Sequence, residues 1–78
     1  MTFEEDQEVL VRYPLTAEAE HGDRAEWPRL NGWIARECGD NEYEVVVEDE
    51  RLAVEYQGSL VFPVCFRDSS ELKATDEP

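Results

Sequence analysis

The segment WPRLNGWIARECGDNEYEVVVED, Trp27 to Asp49, decides the fold class of this chain. Its second half alternates apolar with acidic residues, Tyr43, Val45 and Val47 against Glu42, Glu44 and Glu48. A period of two is that of a β-strand with one buried and one solvated face. Gly39, Asp40 and Asn41 predict a turn before it. We therefore predict two strands, at 31–38 and 42–48, with Gly32 permitting a tight entry or a bulge.

The segment before this pair predicts one strand and a loop. Val9, Val11 and Tyr13 share a face in a strand at 8–13, which Pro14 ends. The acidic stretch that follows contains Thr16, an acceptable helix cap, but His21, Gly22 and Asp23 break any helix early. We predict a long acidic loop with at most one helical turn.

The segment after it predicts two more strands. Residues 52–57 and 60–66 alternate again, and Gly58 and Ser59 between them match a two-residue type II′ hairpin turn with Gly first. Pro63 falls at an edge or a bulge of the second run. Beyond it, Asp68 or Ser69 caps a single helical turn, before a short closing strand.

Together these elements predict an all-β fold, a small five-stranded antiparallel barrel with a long acidic loop after the first strand and a single helical turn near the C-terminus. The order of elements is similar to that of the SH3-like barrel. We expect the domain to span 8–74, between a flexible acidic N-terminus at 1–7 and a flexible tail at 75–78. The predicted core is Val9, Val11, Ile34, Tyr43, Val45, Val47, Leu52, Val54, Leu60, Phe62, Val64 and Phe66.

Charge restricts the partners. The 20 Asp and Glu residues against 7 Lys and Arg give a formal net charge of -13, spread along the 78 residues. Such a surface repels phosphates and favours basic partners, so we expect no direct nucleic-acid binding. No apolar run is long enough to span a membrane, and the N-terminus lacks a signal-peptide pattern. The expectation is a cytoplasmic protein, monomeric or weakly dimeric, without membrane contact.

Metal and cofactor chemistry finds little support in the sequence. Cys38 and Cys65 have no CxxC spacing, and His21 is the only histidine. We predict no metal and no cofactor. The thiols are either buried and reduced or joined in one disulfide. His21 has no neighbouring Ser or Cys, and a core of this size offers no pocket to raise the pKa of a carboxyl group, so we predict that the protein is not an enzyme.

A local resemblance runs from about Tyr13 to Leu72. Its residues are Trp27, Gly32, Trp33, Ile34, Ala35, Tyr43, Val45, Glu48, Asp49, Phe66 and Arg67. The pattern is similar to that of Tudor and Agenet domains, in which a tryptophan enters a strand and an aromatic-x-valine strand ends in acids. The resemblance implies non-enzymatic recognition of peptides, often with methylated Lys or Arg, by an aromatic cage. Trp33, Tyr43 and Tyr56 are the candidate walls, provided that the tyrosines are not in the core.

The predicted partner-binding residues combine two tryptophans with carboxylates. Trp27 is either a lid over the barrel end or an exposed anchor, and Trp33 either packs under the long loop or binds a ligand. The set is Trp27, Trp33, Glu18, Glu20, Asp23, Glu26, Glu42 and Glu44. We predict binding of a basic protein or peptide, with aromatic stacking supplying affinity and carboxylates selecting the cation. The alternative is a nucleic-acid mimic that inhibits a DNA-binding or DNA-cutting protein.

Overall fold

The computed structural model describes residues 3–75 and shows an all-β protein, as predicted. The seven strands are β1 Glu8–Arg12, β2 Arg29–Gly39, β3 Glu42–Val47, β4 Val54–Tyr56, β5 Ser59–Val61, β6 Val64–Asp68 and β7 Leu72–Ala74. The helical elements are α1 Ala17–Glu20 and three 3-10 turns, Arg24–Glu26, Glu50–Leu52 and Ser69–Glu71.

Five strands form one antiparallel sheet in the order β6-β3-β2-β1-β7, and β4 and β5 form a separate hairpin. β2 is the shared strand, pairing with β1 over residues 29–33 and with β3 over residues 32–39. Two register shifts in the β2–β3 pairing bend β2 between these partners. Over residues 3–75, β6 and β7 remain the edges of an open sheet, so the described strands do not close into a barrel.

Gly32 lies where the two pairings of β2 overlap. A Cβ at this position would stand 2.6 Å from the carbonyl oxygen of Val46 on the adjacent strand. Only glycine fits without moving that backbone, so Gly32 permits the close approach of β2 and β3 at this point.

Alternation identified the inner face of the central strands correctly. Six predicted core residues are fully buried: Val9, Val11, Ile34, Tyr43, Val45 and Val47. After residue 50, Leu52 is partly buried and packs against this core, and Phe62 is partly buried. The prediction was wrong for the other four, which are exposed: Val54, Leu60, Val64 and Phe66.

Pro63 causes part of this error. It separates β5 from β6, where a single strand was predicted at 60–66. After the break, Cys65 pairs with Val45 and points into the core, so Val64 and Phe66 point outward. Alternation gives two faces but does not say which of them is covered.

The N-terminal segment contributes to the core. Phe3 is buried against Tyr43, with ring centroids 5.5 Å apart in an edge-on arrangement, and the Phe3 amide donates to Tyr43 Oη at 3.2 Å. The Asp6 amide donates to the carbonyl of Ile34 at 2.7 Å. The domain boundary predicted at residue 8 therefore leaves out part of the core. Residues 1, 2 and 76–78 of the predicted flexible ends lie outside the described part.

Local turn chemistry explains the connections. Gln57 and Gly58 have φ angles of 51° and 81° and join Tyr56 to its partner Ser59. Two positive φ values are the signature of a type I′ turn, so the predicted II′ turn at Gly58 and Ser59 was one residue late. Asp68 caps the final 3-10 turn by accepting from the Ser70 amide, as predicted.

Candidate functional site

The face of the sheet opposite the core carries an apolar row. Trp33 of β2 pairs with Val46 of β3, which pairs with Val64 of β6. Residues directly opposite in an antiparallel ladder share a face, and the neighbours Ile34, Val45 and Cys65 occupy the core side. Phe66 follows on the same face of β6. We call Trp33, Val46, Val64 and Phe66 the outer patch.

The outer patch is accessible. Val64 and Phe66 are 51% and 50% exposed, and Trp33 and Val46 are partly buried. Val64 and Phe66 belong to β6, which pairs with β3 on one side and with no described strand on the other. Soluble proteins usually protect such an edge with charges or a covering element. Here two exposed apolar side chains stand on an edge that no described strand pairs, and Arg67 Nη1 donates to the Phe66 carbonyl at 2.8 Å, so the remainder of the edge is suited to a partner chain.

Carboxylates border the patch on two sides. Toward β1, Trp33 pairs with Glu8, which lines a cleft of about 450 Å³ together with Glu48, Glu50 and Phe62. On the other side, Arg36 Nε donates to Glu44 Oε2 at 3.0 Å, which raises the pKa of Arg36. The cleft thus gathers three acids, of which Glu8 is the strand partner of Trp33, and such a cluster of carboxylates attracts cationic side chains.

Trp27 does not contribute to this surface. It is only 9% exposed, and its indole Nε1 donates to the carbonyl of Ala19 at 2.6 Å. The guanidinium carbons of Arg24 and Arg67 lie 5.2 and 5.6 Å from the centroid of its ring. Trp27 is thus a lid and not the exposed anchor, but what it covers is the open sheet rather than a barrel end, because it holds the long loop against the sheet.

The predicted carboxylates divide into two groups. Glu42 and Glu44 lie on β3 beside Phe66 and Asp68 of β6. The other four belong to the long loop and are exposed: Glu18, Glu20, Asp23 and Glu26. Asp23 caps the turn that begins at Arg24, where its side chain accepts from the Ala25 amide.

The loop is held at the far end of β1 from Trp33. Arg24 Nη2 donates to both carboxylate oxygens of Glu71 at 2.8 and 2.6 Å, and Arg12 Nη1 donates to the Trp27 carbonyl at 2.6 Å. Trp33 pairs with Glu8, four residues before Arg12 and roughly 13 Å along the strand. The contacts therefore place the loop acids at the opposite end of the strand from the aromatic residue that they were predicted to flank.

The candidate aromatic cage is not assembled. Tyr43 is 1% exposed and points into the core, whereas its strand presents Val46 to the side of Trp33. Tyr56 lies on the separate β4–β5 hairpin and is 64% exposed. Trp33 alone remains available as a stacking platform.

Sequence patterns placed four of the exposed apolar residues in the core, and of the exposed set only Tyr56 was a candidate for binding. The large hydrophobic residues that are exposed in the described chain all fall within residues 54–66: Val54, Tyr56, Leu60, Val61, Val64 and Phe66. The scarcity of charge in this segment could have indicated an exposed apolar surface, because residues 52–67 contain one acid, Glu55, and one base, Arg67. Charge depletion is typical of interface cores.

The cysteines are both free, so the disulfide is excluded in this structure. Cys38 is exposed, contrary to the prediction that both are buried, and Cys65 is buried, which raises the pKa of its thiol. Within residues 3–75, no cluster of three His, Cys, Asp or Glu side chains is arranged to hold a metal ion. Over the same range, no helix combines the length and the apolar character needed to cross a bilayer.

No protein-family model, curated protein or solved structure matches this chain.

Proposed function

We propose that this protein is a non-enzymatic interaction module that binds a basic protein segment on the outer patch. The observation that carries the proposal is the row Trp33–Val46–Val64, which ends on the free edge strand β6 and has an acidic cleft at its other end. Aromatic and aliphatic side chains at the centre of a patch with charged groups at the rim are the usual anatomy of a protein interface.

Charge complementarity selects the partner. The chain carries a formal net charge of -13, and Glu8, Glu48 and Glu50 meet at one cleft beside the patch. A Lys or Arg side chain entering that cleft gains carboxylate contacts and stacks on the nearby indole of Trp33. An extended segment can also form backbone hydrogen bonds with the edge of β6 that no described strand pairs, which supplies affinity that does not depend on sequence. We therefore propose an extended, basic segment as the ligand.

The order of elements supports an SH3-like architecture as part of the proposal. A first strand, a long loop, three adjacent antiparallel strands (β2, β3 and β6), a 3-10 turn and a last strand that pairs with the first occur in this order along the chain. The β4–β5 hairpin then occupies the connection between the second and third strands of that meander. On this interpretation the Tudor and Agenet resemblance extends to the fold. Trp33 binds the ligand without the other walls of an aromatic cage.

The test is a binding measurement against a library of extended peptides that vary in charge. Fluorescence anisotropy should detect binding of basic members and not of acidic ones. Trp33→Ala should weaken the best binder at least tenfold, as for the central aromatic of an interface. Glu48→Gln should weaken it a few-fold and reduce its salt dependence. Glu18→Gln is the matched control and should change little.

Two outcomes would contradict the proposal. The first is a Trp33→Ala variant that binds as the wild type does. The second is equal loss from Glu18→Gln and Glu48→Gln together with competition by duplex DNA, which would favour the nucleic-acid mimic.

A further inference from the structure

The β4–β5 hairpin presents two faces. Val54 pairs with Val61 and Tyr56 pairs with Ser59, so Val54, Tyr56 and Val61 share one face, which we call the hairpin face. Glu55 and Leu60 form the other face. The three residues of the hairpin face are 65%, 64% and 49% exposed, and Leu60 is 59% exposed.

Within residues 3–75, β4 and β5 pair only with each other. A two-stranded hairpin is marginally stable in water unless a further strand or a packed surface supports it. The type I′ turn at Gln57 and Gly58 favours the hairpin locally, but it does not cover Val54, Tyr56 or Val61. The hairpin face is thus an ordered apolar surface without a partner in the described chain.

Charge indicates which partner fits. Residues 52–67 contain one acid and one base and are neutral, so the net charge of -13 belongs to the rest of the chain. A basic partner finds no carboxylate on the hairpin face. A second copy of the same chain matches it, because an apolar face meets an identical apolar face without local repulsion.

We propose that two copies of this chain associate through their hairpin faces, packed against one another around a two-fold axis. The three side chains offer on the order of 300 Å², below the roughly 800 Å² per partner of a stable interface. The dimer is therefore weak, with a dissociation constant in about the micromolar to millimolar range. This association uses a different surface from the outer patch.

Salt separates this association from the binding of a basic segment. Two bodies of charge -13 repel each other, and added salt screens the repulsion, so self-association strengthens as salt rises. Attraction between a basic segment and the acidic cleft weakens over the same range. The two effects have opposite signs.

Sedimentation equilibrium of the full chain, from about 10 μM to about 1 mM at low and high salt, tests the proposal. The average mass should rise from one chain toward two, and more so at high salt. Val61→Glu should remain monomeric. Leu60→Glu adds the same charge at the adjacent residue, which lies on the opposite face of the hairpin. This variant should associate as the wild type does. Tyr56→Ser, which adds no charge, should weaken association at least tenfold.

Circular dichroism of each variant shows whether it is folded. If Val61→Glu does not fold, the result for Tyr56→Ser tests the role of the hairpin face in association. A wild type that stays monomeric throughout would overturn the proposal, as would equal dissociation by Leu60→Glu or association that weakens with salt. A monomer that still binds basic peptides would remove this inference and leave the proposed function intact.

Discussion

The two tryptophans should respond to truncation in opposite ways. Trp27 is buried under the long loop, donates a hydrogen bond to Ala19 and lies against two guanidinium groups. Trp33 lies partly exposed on the outer patch. We expect Trp27→Ala to reduce stability and Trp33→Ala to reduce binding.

The structure sets the magnitudes. Truncating a buried tryptophan to alanine costs about 3–5 kcal/mol of unfolding free energy. A chain of 78 residues is stable by only about 4–12 kcal/mol, so Trp27→Ala should leave the domain near its unfolding threshold. Trp27→Phe keeps most of the ring and loses the bond to the Ala19 carbonyl, at a cost of about 1 kcal/mol. Trp33→Ala should cost about 1 kcal/mol, because its side chain is not fully buried.

Urea unfolding followed by far-ultraviolet circular dichroism measures these differences without depending on tryptophan fluorescence. The order of midpoints should be wild type, then Trp33→Ala and Trp27→Phe close together, then Trp27→Ala well below them. If Trp27→Ala lost less than about 1 kcal/mol, or if Trp33→Ala lost as much, the assignment of lid and binding platform would be refuted.

Three further predictions concern single groups. Tyr43→Phe leaves the buried Phe3 amide without its acceptor and should lower the unfolding free energy by about 1–2 kcal/mol in the same assay, whereas no change would mean that this bond is absent. Iodoacetamide should modify Cys38 in the folded protein but Cys65 only after unfolding, as mass spectrometry of the digest would show. The Arg51 hydrogen bonds lower the pKa of Asp49 to about 2, so their contribution to stability is present above the unfolded pKa of about 4 and is lost as pH falls toward 2. Carboxyl NMR should give that midpoint, and Arg51→Ala should raise it.

The sequence predicted the elements that have strong local signals. Alternation in 42–48 fixed β3 and its inner face, and Asp68 placed the last turn. Pro63 was predicted at an edge or a bulge of a single run and instead separates β5 from β6. The two faces of a strand are equivalent in the pattern until a neighbour covers one of them. This is why Phe66 was placed in the predicted core, although its strand neighbour Cys65 is the residue that faces inward.

The candidate site was harder to predict because it depends on pairing between distant segments. Trp33, Val46 and Val64 come from three strands, and only the register brings them into one row. Trp27 was predicted with two alternatives, and its burial depends on Ala19 and Arg67, which no local pattern connects to it. The role of the long loop as a packed cover follows from those same contacts.

The most direct test of the central claim is an amide NMR titration of the full chain with its best basic peptide. Binding on the outer patch should shift the Trp33 indole N–H and the amides of Val46 and of β6, and it should leave the Trp27 indole unmoved. Shifts confined to the loop at 16–26, or the absence of any basic peptide that binds, would contradict the claim that the outer patch is the binding surface.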